Sequence, residues 1–489
     1  MNPLKPVRII LAFLLLASTL VAAPATRPAS RPTTQQAHAD RQKLMLLTRQ
    51  SIELIKASKL DEAENVLLEA IALHPSHHVN LYNMACVKAL KGRSEAALDY
   101  LERAAVEGFT DFVHIEKDPD LKGLRPLSRY REFLGRADEF KKLAAERMIR
   151  WLKGEFGEGY LYEIDTQSKL IFATNTDAAT LAILKQTLVR QAKSQWEDLF
   201  AGRNEQYIAI ALPSAKDFRT IVRNPGVGGF YNHDNRILIA KNLGQVMTHE
   251  FTHALHNADT DALGQDHPIW IAEGIASMYE AGRWTGGKLV PSDNFRLPYI
   301  QQAARRNRLI PLAKLLTMDQ KAFVGNATNA YGQAGSLMLY LHEKGMLRRF
   351  YDTYKAGFEK DQTGKAALEQ VTGQKLPEIE KAWKAWMLSR KGPPTHTGES
   401  GPILGIRFTE ANDGLKVESV IAKGPAGRAG IKAGDIVVGV DEMDVRDTFS
   451  LIPLLSTKQV GDEVTVKLRR GQEYMEVGVT LAARNAVKP

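Results

Sequence analysis

"VMTHEFTHALH", residues 246–256, places three histidines and a glutamate within eleven positions. The pattern predicts a helix. On a helix, His249 and His253 lie about 40° apart around the axis and offer two imidazole nitrogens to one ion. Zinc takes neutral imidazole nitrogen, and this spacing supplies two with little strain. Glu250, one residue on, points to the rim of such a site, where it can accept a proton from an activated water instead of binding the metal. The competing reading is a partly buried amphipathic helix whose histidines are hydrogen-bonded within a core.

A third protein ligand separates the two readings, because a catalytic zinc site generally uses three and leaves one position open. Glu273 lies in "PIWIAEGIASMYEAG" (268–282), twenty residues after His253, on a predicted helix opened by Pro268. Packed antiparallel on the first helix, it would set its carboxylate opposite the two imidazoles. "HEFTHALH" followed by "WIAEGIA" resembles the gluzincins, the peptidase-MA-like branch in particular. The resemblance implies a thermolysin-like zincin domain over 150–390, with Zn2+ on His249, His253 and Glu273 and with Glu250 as general base. In the metzincin pattern the third ligand would be Asp259, but His256 stands where that chain needs a glycine to turn. Glu273 is therefore favoured, and His256 is expected beside the site or on the surface. Gluzincins often carry a downstream Tyr or His that bonds the oxyanion, and "NAYGQAGSLMLYLHEKG" (329–345) resembles that segment. Tyr331 is the candidate, with a core aromatic at a helix start as the other reading. The family also runs an edge strand along its cleft, which falls on "RILIA" (236–240), where a peptide could add by main-chain bonding.

The flanking pattern suits this domain. The short β-prone runs "YLYEI", "KLIFAT", "YIAIALP" and "RILIA" are interrupted by a helix near 178–200 and by a Gly- and Asn-rich turn, "GVGGFYNHDN" (226–235). Almost everything afterwards, to Trp386, reads as helical. Strands first and helices later indicate an α+β domain.

Upstream, Lys5 and Arg8 precede the apolar run 9–23, the layout of a secretory signal peptide. The chain is expected to be exported, periplasmic or secreted, and membrane-tethered if the signal stays uncleaved. Residues 24–40 read as a Pro/Thr-rich tether. Over 41–145, Ser51, Ala63, Leu67 and Ala70 recur 34 residues later as Ala85, Ala97, Leu101 and Ala104. That period resembles tetratricopeptide repeats, with 111–134 as a terminal cap. Such a domain implies a protein partner, although a plain helical hairpin has the same pattern. Cys86 is the lone cysteine, so no internal disulfide is available, and it reads as a small core residue.

Downstream, 391–402 is a Pro/Gly linker. The segment 403–485 resembles a PDZ domain of the kind attached to bacterial proteases, through "ILGI" (403–406) and "GPAGRAGIKAGDIVVGVD" (424–441). The resemblance implies a small β-rich module binding a C-terminal peptide by backbone N–H groups around Leu404, Gly405 and Ile406.

The net charge is +9, but no long basic run with interleaved aromatics tracks a phosphate backbone, so no nucleic acid is expected. The chain reads as a multidomain exported zinc metallopeptidase acting on peptide or protein. Its rival is an inactive zincin-like scaffold whose flanking modules bind partners; bound metal and hydrolysis would separate the two.

Overall fold

The computed structural model describes residues 34–391 and 401–486, apart from 202, 203, 223, 225, 226, 234, 262, 442 and 457. Residues 1–33, on which the expected signal peptide and the first part of the expected tether fall, and residues 392–400 of the expected linker lie outside the described residues. The chain forms two compact units. One holds the helical part through Glu158 with 162–171 and 204–209; the other holds Gly159–Leu161, Phe172–Arg203 and Ile210–Pro489.

In the first unit, α1 (Thr34–Lys56), α2 (Leu60–Leu73), α3 (His78–Leu90) and α4 (Ser94–Val106) succeed one another through short turns. Helix α1 begins at Thr34, inside the stretch read as tether, which corrects that boundary. The eight positions of the 34-residue period are all buried. The serine and alanines among them let neighbouring helices close on one another, and Leu67 and Leu101 fill the space between. Helices α5 (Phe112–Lys117), α6 (Ser128–Gly135) and α7 (Ala137–Phe156) follow. Phe112, Ile115, Tyr130 and Phe133 join one core with Leu81, Leu98 and Leu101. Cys86 is buried in the same core. Among the described residues, no helix is long and apolar enough to cross a membrane.

A five-stranded sheet follows, built from β1 (Leu161–Asp165), β2 (Leu170–Thr174), β3 (Ile208–Leu212), β4 (Gly229–Asn232) and β5 (Ile237–Ala240), in the order β1-β2-β3-β5-β4. Every residue of β2, β3 and β5 is buried, as expected of strands covered on both faces. The sheet ends in β1 and β4, so the edge beside α10 is β4 and not the 236–240 run to which the family pattern points. Strand β4 sits inside the segment read as a turn, because its glycine carries no β signal. A Cβ on Gly229 would stand 2.7 Å from the Ile239 carbonyl oxygen and 2.8 Å from Val246. Only glycine lets the strand lie this close.

Helix α8 (Ala178–Asp198) connects β2 to β3, and α9 (Ala215–Ile221) precedes β4. Then come α10 (Gln245–Asp261), which carries the opening motif, and α11 (Ile269–Tyr279). Gln191 and Gln195 on α8 donate to Thr252 Oγ1 at 3.2 and 2.9 Å, pinning the buried face of α10. After α11 a hairpin, β6 (Arg283–Thr285) and β7 (Lys288–Val290), interrupts the expected helical run. Gly286 and Gly287 both take positive φ at its tip, the two-residue turn that such a pair favours.

The helical layer continues as α12 (Leu297–Arg305), α13 (Leu312–Leu315), α14 (Gln320–Gly325), α15 (Ala327–Glu343), α16 (Leu347–Gly357), α17 (Lys365–Thr372) and α18 (Leu376–Ser389). Helices α11 and α15 touch through glycines. A Cβ on Gly335 would meet Ser277 Cβ at 2.8 Å, and one on Gly274 would meet Ala334 O at 3.1 Å. We expect Gly335→Ala to lower unfolding stability by about 1–3 kcal/mol, since neither helix can yield without moving its neighbours. Denaturant titration measures it.

The C-terminal module contains β8 (Pro402–Ile403), β9 (Ile406–Glu410), β10 (Leu415–Val420), α19 (Pro425–Arg428), β11 (Ile436–Val440), β12 (Met443–Asp444), α20 (Thr448–Ser456), β13 (Glu463–Arg470), β14 (Glu473–Thr480) and β15 (Ala482–Ala483). Its main sheet runs β14-β13-β11-β10-β9, so β9 is an edge. Leu404, Val417, Val437, Leu451 and Val466 fill its core.

Candidate metal centre

Helix α10 presents His249 and His253 on one face, and α11 brings Glu273 against them. His249 Nε2 lies 3.1 Å from His253 Nε2 and 3.1 Å from Glu273 Oε2; His253 Nε2 lies 3.3 Å from Glu273 Oε2. Donors bound to one tetrahedral zinc at its usual bond lengths stand about 3.3 Å apart, so these three atoms already have the edges of a coordination polyhedron.

The protonation balance agrees with a cation site. His249 Nδ1 faces the Glu280 carboxylate at 3.0 Å and so carries a hydrogen. In the neutral ring Nε2 is then a lone pair, directed at a carboxylate oxygen and at a second imidazole. Three acceptors converge unless a proton or a metal ion lies among them. In the metal-free protein a proton takes the place. Burial opposes the imidazolium charge, but the bonds to Glu273 and Glu280 outweigh it and push His249 up to about 10. For Glu273, burial would raise the carboxyl, yet His253 and His249 hold it well below the usual carboxylate range.

Glu250 stays off this cluster. Its Oε2 accepts the Tyr231 backbone N–H at 2.9 Å, which parks the carboxylate against edge strand β4. Tyr331, at the start of α15, donates its hydroxyl to Glu273 Oε1 at 3.3 Å, and its ring centroid is 6.5 Å from that of His249. Burial, with Glu273 and Glu250 nearby, drives its pKa far above the phenol range, so the hydroxyl remains a donor.

Asp259 is committed elsewhere. It bonds the Tyr351 hydroxyl and Lys355 Nζ, each at 2.8 Å, and the Ala201 N–H at 3.0 Å. His256 is buried, which corrects the expectation of a surface position. It bonds His267 at 2.9 Å and stacks on Phe200, two turns along α10 from His249.

Sequence reasoning missed Glu280, two turns beyond Glu273 on the same face. It is buried, accepts from Asn294 Nδ2 at 2.8 Å and pairs with Arg296. A ligating histidine normally donates its second nitrogen to such a carboxylate, which fixes tautomer and ring orientation. The seven-residue spacing from Glu273 was the available signal. We expect Glu280→Gln to weaken zinc binding by about 10–100-fold while leaving three ligands in place. Competition with a zinc-selective indicator reads this out.

In the C-terminal module, Leu404 O accepts the Ala426 N–H at 2.8 Å and Gly405 O accepts the Ile421 N–H at 3.0 Å. Across a trans peptide the next N–H points the opposite way, so those of Gly405 and Ile406 face out of the fold. Gly405 holds φ at +77°, which a side chain would resist.

Residues 402–481 match the PDZ domain family. This module is a PDZ domain. The part of α10–α16 within residues 245–360 matches a family described as a protein of unknown function (DUF1570). Among curated relatives, Protease Do-like 1 of Arabidopsis thaliana chloroplasts is 35% identical over 98 residues, 16% of this chain and 22% of that protein. A probable periplasmic serine endoprotease, DegP-like, of Rickettsia prowazekii is 30% identical over 89 residues, 18% of this chain and 17% of its own length. The chain thus spans about a fifth of the length of these relatives. Of solved structures, an HtrA-type protease AlgW with decapeptide is matched at 17% identity and TM-score 0.17, over 24% of this chain and 35% of that one. An aminopeptidase N family protein from Idiomarina loihiensis is matched at 15% identity and TM-score 0.27, over 66% and 67%.

Proposed function

We propose that the chain is an exported zinc-dependent metallopeptidase of the gluzincin type, with a tetratricopeptide-like N-terminal domain for a protein partner and a PDZ domain that binds peptide C-termini. The observation that carries the reading is the convergence of His249 Nε2, His253 Nε2 and Glu273 Oε2 within 3.1–3.3 Å of one another. Relatives of the PDZ domain named as proteases support a peptidase-associated role at a coarser level.

His249, His253 and Glu273 would hold the zinc, with Glu280 fixing the His249 ring. Bound there, zinc supplies Lewis acidity that polarises a substrate carbonyl and acidifies a water. Glu250 takes a proton from the attacking water as its oxygen bonds the carbonyl carbon, and returns it to the amide nitrogen as the C–N bond breaks. Tyr331, held protonated, donates to the developing oxyanion. The outer edge of β4, beside the Tyr231 N–H that Glu250 holds, accepts a substrate strand by main-chain hydrogen bonds, which makes recognition tolerant of sequence.

The experiment is digestion of a mixed peptide library by the zinc-loaded and the metal-stripped protein, with cleaved bonds mapped by mass spectrometry. Internal cleavages that depend on the metal support the reading. An untouched library with zinc bound favours the scaffold.

A further inference from the structure

The PDZ domain meets the metal helix at its N-terminal end. Asp447 Oδ2 accepts the Gln245 N–H, in the first turn of α10, at 2.7 Å. A carboxylate there satisfies an otherwise orphan donor and favours the helix dipole. The contact is tight enough that a Cβ on Gly244 would overlap the Asp447 side chain. The Leu243 N–H bonds Asn412 O at 2.9 Å. Glu410 joins everything at this point: its carboxylate pairs with Lys241 Nζ at 2.7 Å, accepts Asn242 Nδ2 at 3.2 Å and accepts the Thr448 N–H at 3.4 Å.

Glu410 ends β9 and Thr448 begins α20, the two elements flanking the peptide groove of a PDZ domain. Ile406, Phe408 and Glu410 alternate along one face of β9. A C-terminal carboxylate held at the outward N–H groups of Gly405 and Ile406 sits at the start of that strand. The rest of its chain must then run antiparallel to β9 and leave the groove beside Glu410 and Lys241.

Lys241 also stands beside the start of β4, on the side that pairs with β5. The Lys241 N–H bonds Gly228 O at 3.0 Å, and the next residue opens β4. Two residues further, the Tyr231 N–H lies on Glu250. A polypeptide that leaves the groove beside Lys241 and passes Gly229 on the outer side of β4 would meet that edge antiparallel, which suits sheet extension.

We infer that the PDZ groove and the β4 edge form one continuous track for the C-terminal tail of the substrate, so that the bond cut lies at a set distance upstream of the substrate's C-terminus. At about 3.3 Å per extended residue, the five residues of β9, the crossing at Lys241 and the first residues of β4 place that bond about ten residues from the end. The inference rests on the peptidase reading above.

Its test has two readouts. The first uses the full chain bearing Glu250→Gln and unstructured peptides with one benzophenone side chain at 3, 6, 10 or 14 residues from the C-terminus, as free acid and as amide. We expect label at 3 residues to map to β9 or α20 and label at about 10 to map to β4 or α10, with both falling at least tenfold on amidation. Label confined to the groove, or unchanged by amidation, overturns the inference. The second readout uses the unmodified enzyme and one fluorogenic bond placed at those same distances. Cleavage is expected to peak near 10 residues and to fall at least tenfold on amidation. Cleavage indifferent to spacing and amidation overturns the track but leaves the peptidase standing. No cleavage of any peptide, with the crosslinks to β4 retained, overturns the peptidase reading and leaves the track standing.

Discussion

Glu250→Gln is expected to retain one zinc per chain and to lose about a thousandfold or more in peptide hydrolysis. The three donor atoms belong to His249, His253 and Glu273, and Glu250 touches none of them; it accepts from Tyr231 N at 2.9 Å instead. The amide keeps the size and can still accept that N–H through its oxygen, so helix and strand stay in place. What is lost is the basic oxygen that takes a proton from water, and general base catalysis of this kind contributes about 10²–10⁴-fold. Metal content and hydrolysis measured on the same sample check it. Equal loss of both would instead place Glu250 in the zinc shell.

Apparent zinc affinity is expected to rise about tenfold per pH unit between about pH 7 and 10. In the metal-free site His249 lies between the carboxylates of Glu273 and Glu280, which favour its doubly protonated ring. Its pKa stands at about 10, so zinc must displace one proton across this window. The sign follows for stability too. A pKa raised on folding contributes stability that is complete below the ordinary histidine value near 6.5 and is lost as pH climbs through about 10. The zinc form has no such proton to lose. The gap in Tm between loaded and stripped protein therefore widens with pH over that range. Indicator titrations at pH 7, 8 and 9 measure the affinity, and a flat profile contradicts the account.

Much of the arrangement of these side chains is legible in the sequence. His249 and His253 share a face because four residues nearly complete a helical turn, and Glu273 stood out as an acid in an otherwise apolar helix. Tyr331 was reached only through the family pattern, since an aromatic at a helix start carries no chemical label. What stayed hidden depends on tertiary contacts. Strand β4 escaped because Gly229 is required by crowding against Ile239 and Val246, and glycine reads as turn. The β6-β7 hairpin was lost in a helical run although Gly286 and Gly287 marked it. His256 shares the face of His249, but it lies two turns farther along α10, where Phe200 and His267 bury it. No local pattern could announce that Asp447, some two hundred residues away, caps the metal helix.

These contacts also weigh on the scaffold alternative. A structural unit has no need of a carboxylate parked on an edge strand, or of two buried carboxylates, Glu273 and Glu280, on either side of one imidazole. In the proposed function it is the bound metal that makes this chain a peptidase. The most direct measurement adds zinc stepwise to metal-stripped protein and follows bound metal and cleavage of a long unstructured peptide together. The account predicts that hydrolysis rises in proportion to bound zinc and levels off at one ion per chain. Zinc that fills the site without any hydrolysis, or hydrolysis that persists in its absence, would contradict it.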